Sequence, residues 1–211
     1  MQARSPDPEP VSRGRGAARA ALRAAAAAVL LWLAGPATLH AAPEASAPLW
    51  TALREGGNVV LMRHAIAPGG GDPPGFRLED CATQRNLSEQ GRAQARAIGD
   101  ALRLRRVPVQ EILSSQWCRC KETAQLLAFG PVREYPVLNS FFSDRSTAAV
   151  QTEALRRFVG GRVPEGNLVL VTHQVNITEL TGVYPASGEL VVLRPDGAGG
   201  FSVLGSLRPS N

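Results

Sequence analysis

The chain has 211 residues, of which 44% are hydrophobic, so it can bury one core and is short enough for a single domain with an extension. Its net charge is +5, but five arginines and two acidic residues within the first 41 positions account for three of these charges. The remainder is nearly neutral and has no run of basic residues interleaved with aromatics. We therefore expect no nucleic-acid partner.

The first 41 residues have the three-part layout of a secretory signal. An arginine-bearing start leads into an apolar run at residues 24–34, which is followed by a Gly-Pro break and by the small residues Ala41 and Ala42. We expect a signal peptide over residues 1–41, cleaved after Ala41 or Ala42, and a protein that is periplasmic or secreted. The alternative is an uncleaved interfacial anchor. Because the apolar run is too short to cross a bilayer comfortably, no stable membrane span is expected after cleavage.

Three cysteines lie beyond this leader, at Cys81, Cys118 and Cys120. In an oxidising compartment thiols are expected to pair, and the odd count leaves one over. Cys118 and Cys120 are too close along the chain to bond easily to each other, so we expect Cys81 to pair with Cys118 or with Cys120. A Cys-x-Cys metal site would need further ligands at suitable spacing. None is nearby in the sequence, so we expect no metal.

The rest of the chain alternates between predicted strands and helices. Residues 42–56 are expected to form a linker and a first helix, and residues 57–211 the domain itself. Apolar runs rich in β-branched residues predict strands, apolar residues at helical spacing predict helices, and Ser88 is placed as a helix N-cap. The predicted elements are helices at 49–54, 89–104, 120 to about 130, 148–159 and 175–180, strands at 59–65, 109–114, 134–138 and 167–173, and a hairpin of 189–194 with 201–207.

This alternation predicts an α/β fold with a mainly parallel sheet covered by helices on both faces. In the helix at 148–159, Val150, Leu155 and Phe158 recur at helical spacing. Residues 67–84 form a Gly- and Pro-rich loop that is long for a compact domain, and loops of this length are usually functional. Ligands of such folds bind at the carboxyl ends of the strands.

The histidines point to that edge of the sheet. Of the three in the chain, His40 lies in the leader, whereas His64 and His173 each end a predicted strand. A buried structural histidine has no reason to take this position twice. Arg63 directly precedes His64, and Arg119 follows the strand between them, so two arginines and two histidines are predicted to meet at one edge.

These four side chains suit a phosphate group. Each guanidinium can bind phosphate oxygens through a bidentate fork, which a lysine cannot copy. A neutral histidine offers a ring nitrogen as a nucleophile, with its other nitrogen fixed by a hydrogen bond. Phosphoryl transfer mainly requires positioning and neutralisation of charge. The set supplies both without a metal ion.

Four motifs together resemble the histidine phosphatase (phosphoglycerate mutase-like) superfamily. They are LMRHA at 61–65, RNLSEQGRAQA at 85–95, the segment 114–124 with its Ser-Ser pair, Arg119 and ETA, and VTH at 171–173. The resemblance covers residue 57 to the C-terminus. It implies a three-layer α/β/α fold and catalysis without a cofactor. It also implies that His64 becomes phosphorylated and that Arg63, Arg119 and His173 complete the phosphate pocket.

The sequence departs from the family's pattern at the general acid, the residue that protonates a leaving alkoxide. Gln174 stands where the acid-phosphatase branch has an aspartate, and residues 139–142 contain no glutamate where the mutase branch has one. Asp144 is the nearest carboxylate to that segment, and Glu79 and Asp80 are other candidates. Without an acid, such an enzyme favours good leaving groups such as phosphoramidates, anhydrides or phenols.

Two further positions are candidates for substrate contact. Arg85 and Asn86 either touch the substrate or only order the loop that enters the next helix. The loop at 67–84 and the segment around Phe141 and Phe142 are expected to line the entrance of the pocket.

The sequence predicts a metal-independent phosphatase, a phosphoric monoester or phosphoramidate hydrolase that forms a phosphohistidine on His64. Its substrate would be a small phosphorylated molecule or a phosphorylated component of the cell envelope. The alternative is a module of the same fold that binds phosphate or a partner but has lost turnover.

Overall fold

The computed structural model describes residues 46–209, which include the helix before the predicted domain. The predicted signal peptide and its cleavage site lie outside these residues. Within the described range, none of the helices combines the length and the apolar character that crossing a membrane requires.

One six-stranded mixed sheet organises the domain. Its strands are β1 (Asn58–Arg63), β2 (Val109–Ser114), β3 (Val132–Glu134), β4 (Asn167–Thr172), β5 (Leu190–Pro195) and β6 (Phe201–Leu207). They lie in the order β3-β2-β4-β1-β5-β6. The first four strands are parallel to one another, whereas β5 and β6 form the predicted hairpin and run antiparallel. The mainly parallel sheet is therefore confirmed.

Within residues 46–209, five α-helices cover this sheet. They are α1 (Ala47–Glu55), α2 (Glu89–Leu104), α3 (Cys118–Leu126), α4 (Ala148–Gly160) and α5 (Gln174–Thr181), with short 3₁₀ turns at Cys81–Thr83, Pro136–Leu138 and Arg145–Thr147. Ser88 caps α2 as predicted, because its hydroxyl accepts a hydrogen bond from the Gly91 amide at 3.0 Å.

The helices lie on both faces of the sheet. Val60 and Met62 of β1 point into a core shared with α1, α2 and α3, whereas Val59 and Leu61 point into a second core with α4 and α5. This alternation follows from the two-residue period of a strand, and because both faces are covered, β1 is apolar almost throughout. The three-layer α/β/α architecture is confirmed.

Two local predictions are wrong. Residues 134–138 are not a strand: β3 ends at Glu134 and Pro136 begins a 3₁₀ turn, because proline has no amide hydrogen for a ladder. Val150 is 77% exposed, because it lies five positions before the buried Leu155 and so roughly 140° away around α4.

The register of the sheet determines where the predicted site residues emerge. In the parallel pair β1 and β4, Arg63 lies opposite Thr172, so His64 and His173 leave the sheet side by side. The His64 amide donates to the Thr172 carbonyl at 3.0 Å. On the other side of β4, the Ser115 amide donates to the Val171 carbonyl at 2.9 Å, so the segment that leads into α3 leaves from the same edge.

Candidate active site

A cleft of about 460 Å³ opens at this carboxyl edge. Its walls come from the loop after β1, from residues 140–144 and from the start of α5, as the pattern of strands and loops predicted. Phe142 stands on the wall with 59% of its surface exposed, whereas Phe141 is buried in the fold. Arg63, His64, Arg119 and His173 all line the cleft, so the structure brings the four predicted residues together.

The two histidine rings lie at the base of the cleft, with their centroids 5.6 Å apart. The His64 ring is 2% exposed, and its Nδ1 lies 2.7 Å from the Ala65 carbonyl oxygen. A carbonyl can only accept, so Nδ1 carries the proton and Nε2 has a free lone pair. Burial, together with the positive charge of Arg119, lowers the pKa of His64 to about 3. The ring is therefore uncharged at neutral pH.

The second histidine is held from both sides. His173 Nε2 lies 2.9 Å from the Ser115 hydroxyl, and its Nδ1 makes a long contact of 3.5 Å with Arg119 Nη2. Since a guanidinium only donates, Nδ1 is the acceptor and Nε2 the donor in this arrangement. Burial and the nearby arginine charge lower the pKa of His173 well below its ordinary value. Both rings are thus uncharged.

The two arginines present hydrogen-bond donors without acceptors. Arg63 donates through Nη1 to the Pro185 carbonyl at 3.0 Å, while its Nε is buried and has no partner among the described residues. The Arg119 side chain is 3% exposed, and its Nε is likewise buried and unpartnered within that range. Leaving such a donor unsatisfied costs about 1–3 kcal/mol. The base of the cleft is therefore rich in positive charge and short of acceptors, as in an anion-binding site.

One carboxylate in the cleft was not predicted from the sequence. Asp72 binds Arg119 through both oxygens, with Oδ1 2.7 Å from Nη1 and Oδ2 3.1 Å from Nη2. Burial alone would raise its pKa, but the hydrogen bonds and charge of Arg119 lower the pKa of Asp72 below its ordinary value. The sequence did indicate that the Gly- and Pro-rich loop, which contains Asp72, is functional. No spacing rule indicates which residue of such a loop reaches the edge of the sheet.

Arg85 and Asn86 take different places. Arg85 lines the cleft, and its guanidinium also binds the loop, donating through Nε to the Gly71 carbonyl at 2.7 Å and through Nη1 to the Ala67 carbonyl. Asn86 does not line this cleft and donates to the Cys81 carbonyl at 2.6 Å. Both residues order the loop, and substrate contact stays a prediction for Arg85.

The candidates for the general acid lie in different places. Asp144 lies on the cleft wall, where it accepts from the Ser146 amide at 2.9 Å, and this contact lowers the pKa of Asp144. Gln174 lines the cleft as well, with its amide donating to the Thr178 hydroxyl. Asp80 pairs with Arg77 at the protein surface, and neither it nor Glu79 lines the cleft.

A disulfide joins the long loop to the start of α3. Cys81 bonds to Cys118, which is one of the two pairings expected from the sequence, with the Cα atoms 5.7 Å apart. Cys120 is free and fully buried, and burial raises the pKa of its thiol to about 12, so it is an inert packing residue.

The structure was also searched for a metal centre. Within residues 46–209, His, Cys, Asp and Glu side chains form no group of three or more that could hold a metal ion.

Comparisons with known proteins agree with this geometry. The family model described as the histidine phosphatase superfamily (branch 1) matches residues 59–141. That stretch carries Arg63, His64 and Arg119, and it extends from β1 to the cleft wall. A search of curated protein sequences finds no match.

Several solved structures are similar in fold. The protein histidine phosphatase SixA complexed with tungstate has a TM-score of 0.52 at 18% identity, over 72% of this chain and 97% of that one. A mycobacterial glucosyl-3-phosphoglycerate phosphatase complexed with VO3 has a TM-score of 0.50 at 18% identity, over 72% and 99%. A phosphoserine phosphatase mutant from Entamoeba histolytica in complex with phosphoserine has a TM-score of 0.52 at 12% identity, over 71% and 95%.

The TM-scores show a shared fold, and the matched range of the family model includes three of the four predicted site residues, Arg63, His64 and Arg119. The match to the histidine phosphatase superfamily covers 83 of the 211 residues, from β1 to residue 141. This match supports a phosphatase in general terms.

Proposed function

We propose that the protein is a phosphatase that hydrolyses a phosphoric monoester or a phosphoramidate through a phosphohistidine on His64. The observation that carries this proposal is the state of the His64 ring, which is neutral and has Nδ1 bound to the Ala65 carbonyl. Nε2 is then the free nucleophilic atom, at the base of a cleft with two arginines.

In the first step His64 Nε2 attacks phosphorus and forms the N–P bond. The bond from phosphorus to the leaving atom breaks, and its electron pair goes to that atom, which takes up a proton. Arg63 and Arg119 neutralise the charge on the phosphoryl oxygens. His173 can donate to one of these oxygens in its other tautomer, because the Ser115 hydroxyl can either give or take the hydrogen bond at Nε2.

In the second step water attacks the phosphohistidine. The O–P bond forms, the N–P bond breaks, and the electron pair returns to Nε2. The water gives one proton back to the carboxylate that protonated the leaving group, so that His64 and the acid are regenerated and inorganic phosphate leaves. No residue changes its oxidation state in either step, and the residues that line the cleft supply the charge neutralisation without a metal ion.

The proton for the leaving group is the least favourable part of this chemistry. Asp144 is our candidate acid, since it is the exposed carboxylate on the cleft wall. Because its pKa is lowered by the Ser146 hydrogen bonds, only a small fraction is protonated at neutral pH. The site should therefore work best on good leaving groups such as phosphoramidates, anhydrides and phenols.

Export is part of the proposal. The signal-like layout of residues 1–41 supports it, and the Cys81–Cys118 bond is of a kind that persists outside the cytoplasm. The substrate would then be a small phosphorylated molecule or a phosphorylated envelope component that can enter the cleft.

The test is hydrolysis of 4-nitrophenyl phosphate in excess chelator. We expect turnover by the wild type, loss of about a hundredfold or more in Arg63→Ala, and little change in Arg133→Ala, a matched arginine at the exposed edge of the sheet. His64→Ala should have no measurable activity. If the wild type binds phosphate but turns nothing over, the non-catalytic binding module is the better description.

A further inference from the structure

The hydrogen bonds of Arg119 divide its guanidinium into two edges. On one edge Nη1 and Nη2 both donate to the Asp72 carboxylate, at 2.7 and 3.1 Å, and Nη1 also lies 3.3 Å from the Arg85 carbonyl. A guanidinium has five N–H donors in a rigid plane, so three of them are occupied on this side. The side chain cannot rotate without breaking all three contacts.

The other edge of Arg119 is open. Its Nε is buried without a partner among the described residues, and on this edge the contact of Nη2 is the long one of 3.5 Å with His173 Nδ1. The Nε hydrogen and the second Nη2 hydrogen lie in the plane of the guanidinium, on the same edge, and their N–H bonds are parallel. They form a second fork of the kind that binds two oxygens of one phosphate, and this fork faces His173, whose ring lies next to His64.

Asp72 is itself rigidly held. Its Oδ1 accepts from the Arg85 amide at 3.1 Å as well as from Arg119, and its Oδ2 accepts from Trp117 Nε1 at 2.9 Å as well as from Arg119. Two donors on each oxygen use the full acceptor capacity of a carboxylate. The side chain is 6% exposed. A surface charge held by chance would not be buried with every acceptor site filled.

The backbone that carries Asp72 is fixed on both sides. The Arg85 guanidinium binds the carbonyl of Gly71, the residue before Asp72. The bond from Cys81 to Cys118 ties the same loop to the residue directly before Arg119. The carboxylate and the guanidinium are therefore held relative to each other by covalent as well as polar contacts.

From this geometry we propose that Asp72 is a positioning residue for phosphoryl transfer. It holds the Nη1 and Nη2 edge of Arg119, so that the fork formed by Nε and Nη2 points at the phosphoryl group beside the two histidines. The proposal rests on the proposed function, because it assigns Arg119 to the phosphate. Asp72 does not touch the reacting atoms and acts through Arg119.

Replacing the Asp72 carboxylate by an amide should change the affinity for an anion in opposite directions, depending on whether the charge of Asp72 or its hold on Arg119 matters more. By Coulomb's law alone, removing a negative charge next to the cleft should strengthen the binding of an anion. If Asp72 positions Arg119, Asp72→Asn should weaken anion binding, because the guanidinium loses its anionic anchor and its fork no longer faces the histidines. The sign of the change in affinity therefore decides between the two.

The experiment measures the Kd of tungstate by calorimetry, together with kcat and KM for 4-nitrophenyl phosphate. We expect Asp72→Asn to raise the tungstate Kd about tenfold or more and to lower kcat by a similar factor. Asp80→Asn is the matched control, since it removes the same charge from the same loop outside the cleft, and it should change the Kd less than about twofold. Circular dichroism checks that each variant is folded.

A second variant covers the case in which Asp72→Asn does not fold. Trp117→Phe removes one donor to Asp72 while keeping an aromatic ring in place, and should raise the tungstate Kd by about two- to fivefold. Unchanged or tighter tungstate binding in the folded variants, with an active wild type, overturns the positioning role alone. A wild type that neither binds tungstate nor hydrolyses the ester overturns the proposed function as well.

Discussion

At the scale of single residues, the site depends on burying two histidines without charging them. His64 and His173 lie below a cluster of arginines, and burial as well as the positive charge of Arg119 disfavours the protonated ring in both. Neutral rings are what a nucleophile and its neighbour need. The same burial makes the stability of the folded protein sensitive to acid, because at low pH the histidines of the unfolded chain bind protons that the buried rings do not bind.

This sensitivity has a definite sign and range. The pKa of His64 is about 3 in the folded protein and close to 6.5 when unfolded, so below about pH 6.5 the unfolded state binds more protons and the free energy of unfolding falls. From about pH 7.5 to about pH 5.5 we expect His64 to contribute a loss of about 1.4 kcal/mol. Urea unfolding of the wild type and of His64→Ala at several pH values measures it. Equal pH slopes in the two proteins would contradict the assignment.

At the scale of elements, sequence patterns predicted what is local and missed what is tertiary. The bounds of β2 and the N-cap of α2 follow from β-branched runs and from Ser88, which act through neighbours along the chain. The conformation of residues 67–84 does not, because the contacts that fix it come from Arg85, Trp117 and Arg119 at other points of the sequence. Asp72 was missed for this reason, although its loop was identified.

Removing the disulfide tests whether it stabilises the protein and holds this loop in place. Cys81→Ser opens a bond between residues 37 positions apart, and we expect it to cost about 3–4 kcal/mol of stability through the entropy of the unfolded chain. Because the loop carries Asp72, kcat/KM for the aryl ester should fall about tenfold. Thermal melts with and without reductant measure the first effect. Reductant should lower the melting temperature of the wild type and leave that of Cys81→Ser unchanged, and equal melting temperatures of the two oxidised proteins would contradict the prediction.

At the scale of the whole molecule, the topology could be predicted because chemistry and fold use the same edge. Strands alternating with helices predicted a parallel sheet, and two histidines at strand ends predicted that they meet. The register that sets Arg63 opposite Thr172 could not be predicted, since it depends on pairing across more than a hundred residues. That register places His64 and His173 side by side. The identity of the proton donor also depends on such long-range packing, and Asp144 stays a candidate.

The central claim is that His64 carries the phosphoryl group, and the most direct measurement is to trap it. The wild type is mixed with aryl phosphate, quenched in alkali, where phosphohistidine survives, and examined by tandem mass spectrometry and ³¹P NMR. We predict a phosphoryl group on Nε2 of His64, because Nδ1 is occupied by the Ala65 carbonyl, and none in His64→Ala. A phosphoryl group on another residue, or turnover by His64→Ala, would contradict the account.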